Sequence, residues 1–184
     1  IAAVILVAGA ALTVSGVLVF ILQQRALDAR AVDRLHQSKI ALQDLVEGGT
    51  NPETGVALTD PSEIVRLHLA RTYAGTYSGE VGFVDGTLYW LPSQEPRLHI
   101  EDDAELVAYV APLTTGTDTI ITTHTTTTTT YRLIVVPIAG PSSNAALVHA
   151  IDMRGYGEST HSAMVLYVVA AHGNAGRQVG LADR

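Results

Sequence analysis

Seven histidines are the residues of this chain that could most directly carry out chemistry, because imidazole binds metals and transfers protons near neutral pH. They are His36, His68, His99, His124, His149, His161 and His172. No two of them stand two or four residues apart, the spacing that lets one strand or helix present two ligands. A metal site would need convergence from distant segments, for example of His68, His124 and His149. Isolated histidines more commonly lie at the surface or half-buried, so we predict no metal site.

Several function classes lack their signatures in the sequence. Ser159 and His161 lie close together, but no G-x-S-x-G elbow accompanies them. No phosphate-binding or dinucleotide-binding glycine motif occurs, and the absence of cysteine excludes thiolate chemistry. The acidic run Glu101-Asp102-Asp103 is typical of a helix start rather than of a cation site. A net charge of −7 and the lack of a basic stripe argue against nucleic acid. We predict no catalytic residues and no cofactor in this stretch.

The candidate ligand-binding residues are Tyr89, Trp90, Tyr131 and Arg132, which lie on two predicted strands. If these strands flank the concave side of a sheet, an arginine beside aromatic rings at a pocket mouth would suit a small carboxylate. Ordinary packing in the core and at its rim is the alternative interpretation of the same residues.

The segment that must position the rest is the first one, Ile1–Leu22, which carries no charge, no proline and no amide side chain. A helix of this length extends about 33 Å at about 1.5 Å per residue, which is enough to cross a bilayer core of about 30 Å. We predict a transmembrane helix over 1–22. A secretory signal with cleavage near Ala29-Arg30-Ala31 is the alternative, but the apolar run is longer than a signal core.

The next segment, Gln23–Glu47, continues the helix as a juxtamembrane signalling helix over 23–48. Its apolar residues recur mostly at steps of three and four: Leu27, Ala31, Leu35, Leu42, Leu45 and Val46. Gly48-Gly49 should end the helix. This predicts a single rod of more than 40 residues that can transmit a movement and can also pack on a sheet or on a twin helix.

Residues 49–158 read as one α+β domain with about five antiparallel strands flanked by helices. Asp60-Pro61-Ser62-Glu63 predicts a capped helix start, and Asp85-Gly86 between two apolar runs predicts a hairpin. Asp102 or Asp103 should cap a short helix. The predicted strands cover Glu80–Val84, Thr87–Leu91, Asp118–Thr125, Thr129–Ile138 and Ala145–Met153.

The order of these elements resembles the N-terminal sensing region of actinobacterial two-component sensor histidine kinases. The residues that carry the resemblance are the Val84-Asp85-Gly86 hairpin, the run Tyr131-Arg132-Leu133-Ile134-Val135-Val136-Pro137 and Ala146-Leu147-Val148-His149-Ala150. The resemblance implies a PAS-like or PDC-like extracytoplasmic domain between two membrane helices, followed by a HAMP linker and a kinase core. It also implies a cognate response regulator, reached through that kinase core.

The sequence departs from this family after the sensor domain. Residues 159–171 begin a second apolar run that His172, Gly173 and Asn174 interrupt, and 172–184 are left unassigned. No phosphoacceptor helix or ATP lid follows, so whether the parent protein is an enzyme rests on the resemblance alone. We interpret the chain as a truncated input region whose kinase activity would lie elsewhere.

These interpretations predict a homodimer through the Gln23–Glu47 helix, a small-molecule or protein stimulus, and a location in the cell membrane. The resemblance implies that the domain faces outward. Arg25, Arg30, Arg34 and Lys39 directly follow the apolar segment, which by the positive-inside rule favours a cytoplasmic domain instead. A membrane-tethered binding module without signalling, and the input domain of another receptor class, are the alternative functions.

Overall fold

The computed structural model describes residues 2–51, 54–141 and 143–157, and their side chains except those of 2–14, 16 and 24. Three α-helices, two short 3-10 helices and one sheet make up the named elements of this part of the chain. The helices are α1 (Ala2–Gly48), α2 (Pro61–Arg71) and α3 (Ala104–Val110), with 3-10 turns at Ile100–Asp102 and Ala111–Thr115. The strands are β1 (Ser78–Val84), β2 (Thr87–Trp90), β3 (Ile120–Thr125), β4 (Thr130–Ala139) and β5 (Asn144–Asp152).

The five strands form one antiparallel sheet in the order β2-β1-β5-β4-β3. The predicted α+β class, with an antiparallel sheet and flanking helices, is confirmed. Each predicted strand is present, and no predicted end differs from the observed one by more than about two residues. The last strand, β5, lies in the middle of the sheet, because it pairs with β1 on one side and with β4 on the other.

Both faces of the sheet are covered, and each carries its own apolar core. The face toward α1 and α2 includes Ile134, Leu147 and Ile151. The opposite face packs Val81, Leu133 and other apolar side chains against α3 and the 3-10 turns. Alternate residues of β4 and β5 serve the two cores, as the two-residue period of a strand requires.

Helix α1 is continuous over 47 residues, as the sequence predicts. It presents Leu27, Ala31, Leu35 and Leu42 to the core and ends where Gly49 adopts a φ of +62°. The assignment of Val46 to the buried stripe is wrong, because this side chain is 42% exposed and lines an open groove beside Pro137. The rest of the stripe carries the contact between α1 and the sheet.

Local start signals are confirmed at the two shorter helices. Asp60 caps α2, with its Oδ1 accepting a hydrogen bond from the Ser62 N–H at 3.0 Å, and Pro61 occupies the first helical position. At α3, Asp103 is the cap, and its carboxylate accepts from the Leu106 N–H at 3.1 Å. The acidic run 101–103 therefore begins helical structure, as predicted.

The predicted hairpin joins β1 and β2 at Asp85-Gly86. Both residues have positive φ, +48° for Asp85 and +81° for Gly86, and Val84 pairs with Thr87 across the turn. A bulge follows, since Phe83 pairs with Leu88 but Gly82 pairs with Trp90. The extra residue, Tyr89, lets Leu88 and Trp90 reach opposite cores.

Three segments of the sequence analysis fall wholly or largely outside what is described. Among the described residues, no helix has the combination of length and apolarity that a membrane crossing requires. Most side chains of the predicted span Ile1–Leu22 lie outside the described set, and so do 159–171 and 172–184.

The turn glycine provides a direct test of the hairpin. Gly86→Val should lower the free energy of unfolding by about 1 kcal/mol or more, because a β-branched residue is disfavoured at positive φ. A Cβ at this position would also lie 3.1 Å from Cγ2 of Thr115. Urea unfolding followed by Trp90 fluorescence measures the change.

Gly48→Val is the matched control, since nothing lies within 4 Å of the Cβ it would add. It should change stability by no more than about 0.5 kcal/mol. Equal stability of the Gly86→Val variant and the unmodified chain would contradict the turn geometry.

Candidate functional site

The four predicted ligand-binding residues do not gather into one pocket. Tyr89 and Trp90 lie on β2, and Tyr131 and Arg132 lie on β4, with β1 and β5 between them. Tyr89 is 65% exposed, whereas the Trp90 indole N–H donates to Ser62 Oγ of α2 at 2.8 Å. Trp90 therefore joins the edge strand of the sheet to α2, and Tyr89 does not share this contact.

Tyr131 and Arg132, adjacent in sequence, lie on opposite faces of the sheet. Tyr131 is buried on the α3 side, where burial and the neighbouring Asp103 carboxylate raise its pKa to about 12. Burial alone would raise the pKa of Asp103, but hydrogen bonds from Thr126, Leu106 and Tyr131 lower it below its usual value. Arg132 lies on the α1 side, at an open groove between α1 and strands β3 and β4.

The structure brings two of the histidines together, but not as a metal site. His68 and His149 both contact the Glu80 carboxylate, whereas His124 lies on the other face, stacked on Tyr109 with ring centroids 3.8 Å apart. Within the described part of the chain, no group of three metal-ligating side chains is arranged to hold an ion. His161 and His172, like Ser159, lie outside the described residues.

A buried polar network joins both long helices to the centre of the sheet. We call it the Glu80 cluster, and it consists of Ser38 on α1, His68 on α2, Thr72 just after α2, Glu80 on β1 and His149 on β5. Glu80 and His149 are direct cross-strand partners. Four of the five side chains are less than 10% exposed. The cluster lies on the same sheet face as the core beneath α1 and α2.

The distances of the cluster define a consistent set of donors and acceptors. Ser38 Oγ donates its proton to Glu80 Oε1 at 2.7 Å. The same oxygen lies 2.6 Å from His149 Nδ1, where it must act as the acceptor, so Nδ1 carries a proton. Nδ1 also lies 3.0 Å from Glu80 Oε1.

The hydrogen bonds of Thr72 likewise place a proton on Nε2 of His68. Thr72 Oγ1 donates to the His68 carbonyl at 2.9 Å, so it accepts from His68 Nε2 at 3.2 Å. That N–H also lies 3.1 Å from Glu80 Oε2. Both carboxylate oxygens therefore receive hydrogen bonds from imidazole.

These hydrogen bonds keep the buried carboxylate ionised. Burial of Glu80 alone would raise its pKa, but hydrogen bonds from His149 and His68 outweigh this and hold the pKa far below the usual range. The ionised form then contributes to folding above the pKa of an unfolded glutamate, about 4.3, and this contribution is lost as the pH falls below it.

The arrangement resembles a Ser–His–acid triad in composition but not in geometry. In a triad, the serine and the acid contact opposite nitrogens of the imidazole. Here Ser38 and Glu80 both lie at His149 Nδ1, and Nε2 is buried without a hydrogen-bond partner. All three side chains are less than 10% exposed, so a substrate could not reach the hydroxyl. The cluster can hold charge and fix geometry, but it is not built for acyl transfer.

Sequence reasoning named His68 and His149 but missed Ser38 and Glu80 as their partners. Ser38 stands in the apolar stripe of α1, three residues after Leu35 and four before Leu42, where a polar residue interrupts the pattern. Glu80 lies inside β1, in a run of buried residues that is otherwise free of charge. The available signal for this pairing was that Ser38 and Glu80 each interrupt an otherwise largely apolar, buried face.

Comparison with known proteins does not add a family to this geometry. No family model matches the chain, and no match was found among curated proteins or solved structures.

Neutralising the buried carboxylate should reveal its contribution as a pH dependence. At neutral pH, Glu80→Gln should lower the free energy of unfolding by about 2–4 kcal/mol, because it weakens charge-assisted hydrogen bonds to two buried imidazoles. The gap between the variant and the unmodified chain should narrow as the pH falls from about 6 to about 3, since Glu80 becomes protonated in the unfolded chain. Urea unfolding at several pH values measures it.

Glu63→Gln is the matched control. The hydrogen bond from Arg66 lowers the pKa of Glu63 against the effect of burial, but both side chains are more than one-third exposed. Its loss should cost about 0.5 kcal/mol or less. If the Glu80→Gln gap were as small, or did not change with pH, the carboxylate would not be the ionised centre of the cluster.

Proposed function

We propose that this chain is the membrane-anchored sensory input domain of a two-component sensor histidine kinase. In this proposal the PAS-like or PDC-like domain detects an extracytoplasmic stimulus, and α1 relays it through the membrane. The observation that carries the proposal is the unbroken course of α1, which extends from the apolar N-terminal segment onto the sheet without a kink-forming residue after Leu22.

The anchor part of the proposal is supported by side chains that have no cover within the described structure. Val17, Leu18, Val19, Phe20, Ile21 and Leu22 are exposed to 42–57%. A continuous apolar surface of this kind marks a binding face or a membrane segment. Together with the uncharged residues that precede it, this run favours the membrane.

The relay part is supported by the way α1 is held. Apolar contacts at Leu27, Ala31, Leu35 and Leu42 allow small shifts, because they are not directional. The hydrogen bonds of Ser38 with Glu80 and His149 are directional, so a rotation of α1 would break them. The helix thus has a defined resting position, against which a ligand could bias a second one.

A homodimer through α1 is part of the same proposal. The helix face opposite the sheet carries exposed residues at alternating steps of three and four, the spacing of a coiled-coil seam. They are Val19, Leu22, Ala26, Ala29, Asp33, His36 and Ile40. A second copy of the same helix would cover the apolar members of this line.

The membrane anchor can be tested by fractionation. Expressed with Ile1–Leu22, the chain should remain with membranes after a high-salt wash and an alkaline wash, because an inserted helix is not released by either. Deletion of 1–22 should move it to the supernatant. Complete recovery of the unprocessed chain in the supernatant would contradict the anchor.

The relay can be tested by insertions between Gln23 and Gln24 in the full-length parent protein. One or two added residues should turn the helix by about 100° or about 200° relative to the sheet and change signalling output. Four residues add about 400°, close to a full turn, and should disturb output least. The thermal stability of the domain should stay within about 2 °C, because the insertion lies before the buried stripe.

Kinase autophosphorylation in isolated membranes is the readout of this series. If insertions of one, two, three and four residues all left output at the level of the unmodified protein, α1 would not act as a lever. The alternative of a tethered binding module would then be favoured, or the input domain of a receptor class that does not use helix rotation.

A further inference from the structure

An open groove of about 380 Å³ lies between the start of the sheet-packed part of α1 and strands β3 and β4. It is lined by Arg25, Asp28, Thr123, Thr130, Arg132 and Met153, and we call it the Arg132 groove. Two arginines, one aspartate and two hydroxyl groups therefore face one space.

Neighbouring residues hold Arg132 in the groove, but they do not accept hydrogen bonds from all of its N–H groups. Its Nη1 donates to Thr123 Oγ1 at 2.6 Å, which fixes the plane of the guanidinium. Its Nε is buried and has no hydrogen-bond acceptor. The carboxylate of Asp28 stands 3.8 Å from Nε, which is within ion-pair range but too far for a hydrogen bond.

We infer that the Arg132 groove binds an oxyanion group, a phosphate or a carboxylate, through Arg132 and Arg25. Guanidinium groups present paired N–H donors that match the geometry of such oxyanions. The ligand would contact the accessible end of the Arg132 guanidinium, because Nε itself is buried while the side chain as a whole is 25% exposed. Arg25 is exposed on α1 and supplies the second positive charge.

The remaining lining residues favour an anion over a cation. Thr123 accepts from Arg132, so its own hydroxyl proton is available to a ligand oxygen. The formal charges of Arg25, Arg132 and Asp28 sum to about +1, and Asp28 competes with the ligand for Arg132. Removal of the Asp28 charge should therefore strengthen anion binding.

The position of the groove leaves two sources for the oxyanion. Arg25 comes three residues after Leu22, about 4.5 Å further along the helix axis, so the groove opens close to the exposed apolar run 17–22. A small soluble anion could enter from solvent, and the headgroup of an anionic lipid could enter from a bilayer. The chemistry at the guanidinium groups is the same in both cases.

This inference deepens the proposed function by naming a ligand class for the sensor, and its biological meaning rests on that proposal. Its test measures binding alone. If the chain binds the anion but the insertions leave signalling output unchanged, the anion site is supported and only the relay is contradicted.

The test compares free phosphate with a lipid phosphate on the full 184-residue chain. In detergent, inorganic phosphate is titrated against sodium chloride at equal ionic strength, and thermal unfolding is followed by the fluorescence of the single tryptophan, Trp90. In a second arm, the chain is placed in phosphatidylcholine nanodiscs with and without phosphatidic acid. Stabilisation by phosphate identifies a soluble ligand, and stabilisation by phosphatidic acid alone identifies a lipid.

Matched variants distinguish the groove from general charge effects. Arg132→Gln and Arg25→Gln should each weaken anion binding by about tenfold. Arg30→Gln, an exposed arginine of the same helix outside the groove, should change it by less than about twofold. Asp28→Asn should strengthen binding several-fold, whereas Asp33→Asn, likewise exposed on α1, should not.

The exposed variants keep the test decisive if Arg132→Gln fails to fold, because Arg25 and Asp28 contribute little to the core. The inference is overturned if neither phosphate source stabilises the chain. It is also overturned if Arg30→Gln weakens binding as much as Arg25→Gln, or if Asp28→Asn and Asp33→Asn have equal effects.

Discussion

The buried carboxylate of Glu80 is the constraint on which the arrangement of α1, α2 and the sheet depends. A charge removed from water is costly unless hydrogen bonds compensate it. The elements that surround Glu80 must therefore each bring a hydrogen-bond donor to its carboxylate. Ser38 does this from α1, His68 from α2 and His149 from β5. Apolar packing alone would tolerate several positions of each helix, whereas this set of donors is satisfied in only one.

The same constraint fixes the register of the central strand pair. Glu80 on β1 is directly opposite His149 on β5, and a slip of one residue would place Val148 or Ala150 there and send the imidazole to the other core. Strand β5 follows β4 in sequence but must insert beside β1, far away in the chain. A polar pair at the centre of this long-range contact makes alternative registers costly, because each would leave a buried charge without its donors.

What the sequence could predict was local, and what it could not was the meeting of distant segments. Asp60, Asp103 and the Asp85-Gly86 turn act on neighbouring backbone, so their types and spacing predicted two helix starts and a hairpin. The prediction grouped four residues because their strands were expected to flank the concave side of the sheet: Tyr89, Trp90, Tyr131 and Arg132. The sheet order separates β2 from β4, and alternation separates Tyr131 from Arg132, neither of which spacing reveals. Ser38 and Glu80 are 42 residues apart, and only the fold pairs them.

The Glu80 cluster and the Arg132 groove lie under the same helix and close to each other along the sheet. On β4, Arg132 and Ile134 face α1, and their cross-strand partners on β5 are Ile151 and His149. The groove and the cluster are thus two residues apart along the sheet, or about 7 Å, while Asp28 and Ser38 contact them from α1 about 15 Å apart along its axis. Besides its apolar packing, the sheet has two polar contacts with α1, the long ion pair of Arg132 with Asp28 and the short hydrogen bonds of Ser38. Under the proposed relay, a change in the weaker contact would alter the bias on α1 away from the position that the bonds of Ser38 define. An oxyanion at the proposed site would compete with Asp28 for Arg132 and would so act on the weaker of the two contacts.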